Sequence, residues 1–284
     1  MLYRVFCSFL LVFFFACDSA NSDGDESSYG IWSKKQVEYG ELSSFYFNKE
    51  MPFITIVPRS YNDIDSFPVM YLLHNYGNSA DVFLDSIPNL PELVDKLQIV
   101  VVCINSEKGW YIDSPRLPNW RYETYIVNEL FPHIKKHYKV FKTGEKTGIT
   151  GFSMGGFGAI RLGLKYPQMF GYVGSVSGGT DLTAHPALGN LYEVLGNQKQ
   201  HLNDWKRFSP YYMLDSVNVE KIKFNFHLIC GESDFFLPNN KAFSNKLDSL
   251  DIDHTYSEIE GIHKWSFARR MIEGQLKDFS RLVN

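Results

Sequence analysis

The chain has 284 residues, 44% hydrophobic and 16% aromatic, enough apolar surface for one sizeable domain. Its formal net charge is −4, and the charges are mixed along the chain, so no basic stripe exists to hold a phosphate backbone and nucleic-acid binding is excluded. No Cys or His grouping has zinc-site spacing: His133 and His137 are four apart on an expected helix, but no Glu follows the first as zinc-protease chemistry requires, and the pair reads as a solvated helix face.

Arg4 precedes an apolar run from Val5 to Ala16, which is too short to span a bilayer but suits the apolar region of a secretory signal. It ends at Ala16-Cys17, a small residue before Cys that resembles a bacterial lipoprotein processing site, with Phe14 and Phe15 a poor match to it. The expectation is export to the periplasm or cell surface, with possible membrane anchoring through a lipidated Cys17. Residues 18–30 are acidic and Ser-rich, cannot build a core and read as a flexible tether. The catalytic domain is expected over 31–284. Cys103 and Cys230 sit in apolar runs and are expected buried and reduced.

Gln36 to Phe45 and Met51 to Val57 read as antiparallel edge strands. Short continuous apolar runs follow at Pro68 to Leu73, Ile99 to Ile104, Thr147 to Thr150, Tyr172 to Val176 and Phe224 to Cys230, the pattern of strands buried on both faces. Helical patterns alternate with them at Glu92 to Leu97, Arg121 to His137, Gly155 to Tyr166, Asn240 to Leu250 and Lys264 to Leu282. The alternation predicts an α/β fold, a mostly parallel, doubly wound sheet with its active groups at the carboxyl ends of the strands. Gly178 to Ser216 breaks the rhythm and is expected to be a small helical insertion over the site.

Gly151-Phe152-Ser153-Met154-Gly155 is a G-x-S-x-G pattern set between an expected strand and an expected helix, so Ser153 falls on a sharp turn that needs small neighbours. Its hydroxyl becomes nucleophilic only when an adjacent base takes the proton. The order nucleophile, acid, base leaves the His residues after 153; His185, His201, His227 and His254 fall in the insertion, inside a strand or at its start, whereas His263 lies just beyond a strand end. Glu232 and Asp234 both follow the strand ending at Cys230 and either could orient the imidazole, with Asp234 the better placed. The oxyanion donors are expected to be the amides of Met154 and of Tyr76, the latter in the loop His74-Asn75-Tyr76-Gly77.

These motifs, with Gly109-Trp110-Tyr111, Gly231-Glu232-Ser233-Asp234-Phe235 and Gly261-Ile262-His263-Lys264-Trp265, resemble the esterase family that holds feruloyl and acetyl-xylan esterases of carbohydrate esterase family one, tributyrin-type esterases, S-formylglutathione hydrolase and mycolyltransferases. The resemblance runs from about residue 36 to the C-terminus and implies an α/β-hydrolase fold, Ser153, Asp234 and His263 as the triad, and no cofactor. It also implies that Trp110 and Tyr111 line the acyl pocket, although an aromatic pair near a strand end is as often core packing, and Trp265 is expected to join the substrate-binding residues. Asn75 departs from the Gly usual after the His, and its tolerance of left-handed backbone is expected to preserve the turn. The expected substrate is a small ester or an acetyl or feruloyl ester of polysaccharide. An acyltransferase, a thioesterase acting on S-formylglutathione and a non-catalytic binding protein on the same scaffold are the alternatives.

Overall fold

The computed structural model describes residues 36–284. The expected signal, tether and Cys17, and the first residues of the expected catalytic domain, lie outside the described residues. Among the described residues the strands are β1 (Val37–Ser44), β2 (Lys49–Ile56), β3 (Val69–Leu73), β4 (Val100–Ile104), β5 (Thr147–Gly151), β6 (Tyr172–Val176), β7 (Asn225–Gly231) and β8 (His254–Ile259). They form one sheet in the order β1-β2-β4-β3-β5-β6-β7-β8. The β1–β2 hairpin is antiparallel and joins β4 antiparallel; every later pairing is parallel.

The helices are α1 (Val82–Ser86), α2 (Leu90–Leu97), α3 (Tyr122–Tyr125), α4 (Phe131–His137), α5 (Met154–Lys165), α6 (Leu191–Leu195), α7 (Leu202–Phe208), α8 (Pro210–Met213), α9 (Leu237–Ser249) and α10 (Trp265–Val283). Central strands are apolar throughout because both faces are covered. In β3 and β4, Val69, Tyr71, Leu73, Val100, Val102 and Ile104 pack into one core with α5 residues such as Phe157 and Ile160. The intervening Met70, Leu72, Val101 and Cys103 point the other way, into a second core with Leu93 of α2 and Ile272 and Leu276 of α10. This is the two-fold alternation of a pleated sheet carrying helices on both sides.

One expected helix, Arg121 to His137, runs unbroken from Tyr122 to His137 but is not α-helical throughout. Ile126–Leu130 is a π-helical turn between α3 and α4. Pro132 cannot donate to the carbonyl four residues back, and a wider turn ahead of it relieves that loss. The turn places Glu129 so that its carboxylate accepts from Ser44 Oγ at 2.6 Å and Phe45 N–H at 2.8 Å, tying the β1–β2 hairpin to the helix layer. Cys103 and Cys230 are buried free thiols as expected, and burial pushes the Cys230 thiol up to about 12, which keeps it protonated and unreactive. The His133 and His137 rings lie tilted to each other with centres 4.5 Å apart, and no metal-holding group of acidic, His and Cys side chains occurs among the described residues.

Candidate active site

The sheet reverses its winding at β3, which has β4 on one side and β5 on the other. Loops leaving β3 and β5 therefore separate and open a crevice at the carboxyl edge. Leu73 and Gly151 are register partners at that edge, so the loop beginning at His74 and the turn holding Ser153 start side by side.

Ser153 occupies a strained conformation, φ 58° and ψ −115°, between β5 and α5. Its amide donates to the Val176 carbonyl at 2.9 Å, and its own carbonyl accepts from Phe157 N–H at 2.9 Å, which holds the turn from both ends. The glycines around it are required by close approach. A Cβ on Gly155 would lie 1.8 Å from the Leu73 carbonyl oxygen, and one on Gly151 would lie 2.4 Å from the same atom. The first turn of α5 then begins at Met154 with its partial positive charge beside the Ser153 hydroxyl.

Ser153, His263 and Asp234, distant in the chain, form one hydrogen-bonded line. The Ser153 hydroxyl donates to His263 Nε2 at 2.8 Å, and His263 Nδ1–H donates to Asp234 Oδ2 at 2.8 Å. Asp234 is a carboxylate with no solvent-exposed side-chain surface; its other oxygen accepts from Phe236 N–H at 2.9 Å. Because a carboxylate can only accept, it fixes the imidazole as the Nδ1–H tautomer and leaves Nε2 free to take a proton. Glu232, the alternative acid, is exposed and takes no part in this line. The acid and histidine loops are joined through the backbone, Ser233 N–H donating to the Gly261 carbonyl at 3.0 Å. Aromatic rings hold the imidazole in place: Phe235 at 4.4 Å and Phe152 at 4.7 Å between centres.

Among the described residues, the amides of Met154 and Tyr76 have no hydrogen-bond acceptor. The peptide leading into Tyr76 is oriented by His74, whose buried Nδ1–H donates to the Asn75 carbonyl at 2.8 Å while its Nε2 accepts from Ser106 N–H at 3.0 Å. In a planar trans peptide, fixing that carbonyl also fixes the Tyr76 N–H, which points the opposite way. Burial lowers the His74 pKa, in keeping with a neutral ring that both donates and accepts.

Asn75 does not serve the turn as the sequence suggested. It has no positive φ; in that loop only Gly77 does, at 79°. The Asn75 side chain instead accepts from Trp265 Nε1 at 2.9 Å and from Asn78 Nδ2 at 2.9 Å, linking the Tyr76 loop to the segment that carries His263. Trp265 is thus engaged by the protein through its indole N–H and packs edge-on against Phe83 and Phe152. Trp110 and Tyr111, expected to line the pocket, are 1% and 0% exposed, so their place is beneath the site and not on its surface. Trp110 Nε1 donates to Asn190 Oδ1 at 3.0 Å in the insertion, and the Tyr111 hydroxyl donates to the His74 carbonyl at 3.0 Å. Both stand at positive φ, 53° and 55°, a conformation that surrounding packing must impose.

Two further residues were not singled out from the sequence. Asn240, fully buried on α9, donates to the carbonyls of Gly178 and Phe236 at 2.9 Å each, joining the exit of β6 to the acid loop. Phe235 is 48% exposed while touching His263, so an apolar ring flanks the imidazole on the solvent side. The one prior sign of this ring was an aromatic residue directly after the acid in the motif.

A family model described as "Putative esterase" matches residues 44–277. The chain belongs to this esterase family. It is similar to the acetyl esterase of Caldicellulosiruptor saccharolyticus, 27% identical over 240 residues that cover 78% of this chain and 86% of the relative. It is also similar to Esterase Rv1288 of Mycobacterium tuberculosis, 31% identical over 230 residues, which are 70% of this chain but 49% of that protein, so this chain spans about half its length. Among solved structures, a ferulic acid esterase superposes with TM-score 0.73 at 22% identity, covering 87% of this chain and 98% of that one. The fold is the α/β-hydrolase fold that the family resemblance implied, with the mostly parallel sheet that the alternation of strands and helices predicted.

Proposed function

We propose that this esterase is a serine carboxylic-ester hydrolase that works through an acyl-enzyme on Ser153. The observation that carries the reading is the continuous line from the Ser153 hydroxyl to the His263 ring to the buried Asp234 carboxylate, each step 2.8 Å. In this reading His263 Nε2 takes the hydroxyl proton as Ser153 Oγ bonds to the ester carbonyl carbon, and Asp234 stabilises the imidazolium without itself being protonated. Negative charge moves onto the carbonyl oxygen, where the amides of Met154 and Tyr76 receive it. The tetrahedral intermediate collapses, the alkoxide leaves with the proton from His263, and water repeats the sequence to release the acid and restore Ser153. The chemistry needs no cofactor or metal.

Polysaccharide-borne acetyl and feruloyl esters are the substrates this proposal favours. Similarity to an acetyl esterase supports the acyl part, and the exposed Phe235 ring against His263 supports an apolar group lying beside the imidazole. A panel of acetylated xylan, methyl ferulate and S-formylglutathione tests the choice, with Ser153→Ala as the blank. Turnover of the oxygen esters in preference to the thioester supports the proposal; turnover of the thioester alone overturns the substrate class while leaving the nucleophile in place.

A further inference from the structure

A second concavity, about 530 Å³ in volume, lies on the outer side of α5, between the loop that follows Tyr111 and helices α7 and α8. Arg161 stands on the same helix as Met154 but seven residues further on, about 10 Å along the axis at about 1.5 Å per residue, so the concavity is separate from the triad.

Its charges are unbalanced. Arg121, Arg161, Lys165 and Arg207 line it against two carboxylates, Asp113 and Glu123, and both carboxylates are already engaged. Asp113 accepts from the Thr124 amide at 3.0 Å and from the Thr124 hydroxyl. Glu123 accepts from Arg161 Nη1, from Lys165 Nζ and, at 2.8 Å, from the Tyr166 hydroxyl. Arg121 reaches Asp113 only at 3.8 Å, and Arg207 pairs with Asp204 on its own helix while remaining 62% exposed.

Arg161 is the decisive residue. It is 4% exposed, yet among the described residues its guanidinium donates through Nη1 alone, and Nε is buried with no acceptor. A guanidinium carries five donors in a rigid fork, and a buried donor left unpaired is costly enough that native proteins nearly always supply an acceptor. Phe208 lies against both guanidiniums, its ring centre 4.8 Å from Arg161 Cζ and 4.9 Å from Arg207 Cζ. Both cations are thus within cation–π distance of one ring. Among the described residues Nη2 likewise has no acceptor but, unlike Nε, is not closed off from the concavity, so an oxyanion would bind there; the volume leaves room for more than a lone ion, since it lies within the usual range of small-molecule pockets, about 300–1,000 Å³.

We propose that this concavity binds an anionic small molecule of about sugar size, carrying a carboxylate or phosphate whose oxygens are received by Arg161, with Arg121 and Arg207 closing over it. The apolar wall of Phe208 and Met213 takes the uncharged part of the ligand. The proposal stands apart from the esterase reading, because none of these residues touches the triad.

Isothermal titration of the whole protein with sodium phosphate and with sodium glucuronate, against sodium chloride at matched ionic strength, tests it. The expected result is saturable binding of one or both anions, the responding arm separating a phosphate from a sugar carboxylate. Arg121→Ala/Arg207→Ala, altering two side chains that are at least half exposed, is expected to weaken binding at least about tenfold and to leave hydrolysis of p-nitrophenyl acetate unchanged. Arg161→Lys keeps a cation beside Glu123 but removes the fork, and is expected to abolish binding in a protein that still hydrolyses ester. Heat no greater than the chloride control from both anions overturns the proposal, as does binding that all three substitutions leave intact.

Discussion

Replacing Asn75 by Ala removes the acceptor shared by Trp265 Nε1 and Asn78 Nδ2, each 2.9 Å away. A neutral hydrogen bond contributes about 1 kcal/mol net, and water can replace the partner of the half-buried Asn78, so the loss of stability should be about 1–2 kcal/mol. For a domain of this size that lowers Tm by about 2–6 °C. The larger consequence is kinetic. Deleting an oxyanion donor costs about 10²–10³ in kcat; here the Tyr76 amide remains and His74 still holds the Asn75 carbonyl, so loosening the loop should cost about tenfold to a hundredfold. The interaction acts on charge that develops in the transition state, so the loss should fall on kcat with KM nearly unchanged. Trp265→Phe keeps the packing on Phe83 and Phe152 but lacks the donor, and the double variant should lose less than the sum of the two, with a coupling of about 0.5–1.5 kcal/mol. Steady-state kinetics on p-nitrophenyl acetate for the four proteins measures it. Additive losses, or a rise in KM with kcat intact, would refute the idea that this hydrogen bond holds the oxyanion loop.

Asp234→Asn preserves shape but presents the amide to His263 and favours the wrong tautomer; kcat should fall about 10³–10⁴-fold in a protein with a near-normal melting curve, and a loss below tenfold would exclude Asp234 as the orienting acid. His74 has its pKa lowered by burial, so between that lowered value and about 6.5 the unfolded chain binds more protons than the folded one. The stability conferred by neutral His74 is therefore full above about pH 7 and declines as the pH falls through that window. His74→Gln should be most destabilised relative to the unaltered protein near pH 8, with the gap in Tm shrinking toward pH 5; a gap independent of pH would show that His74 is not held neutral. Phe235→Ala removes an exposed ring 4.4 Å from His263, and should raise KM for methyl ferulate several-fold more than for p-nitrophenyl acetate; equal effects on both would place the aromatic acyl group elsewhere.

The parts of the fold that repeat a simple period were legible in the sequence. Val69–Leu73 and Val100–Ile104 are apolar at every position because helices cover both faces, and no surface element gives that pattern at that length. Ser153 was legible because its turn cannot tolerate a Cβ at Gly151 or Gly155, and that steric demand is written in the adjacent residues. What depends on distant partners was not legible. Asn75 seemed a backbone residue, since the Trp265 indole that it receives lies 190 positions away. Trp110 and Tyr111 could be pocket lining or core from the sequence, and the partners that bury them, Asn190 in the insertion and the His74 carbonyl, lie far off in the chain. The π turn ahead of Pro132 escaped because the helical, apolar pattern continues across it and only the hydrogen-bond spacing widens. The helices of the insertion are short, five residues in α6 and four in α8, too few turns for a period to register.

The central claim is that Ser153 carries the acyl group during turnover. Rapid quenching of the protein during p-nitrophenyl acetate hydrolysis, followed by peptide mapping in a mass spectrometer, reads this directly. One acetyl group on the peptide containing Ser153, accumulating within the first turnover and absent from Ser153→Ala along with activity, is the expected result. An acetyl group on another residue, or a Ser153→Ala protein that hydrolyses ester at the original rate, would contradict it.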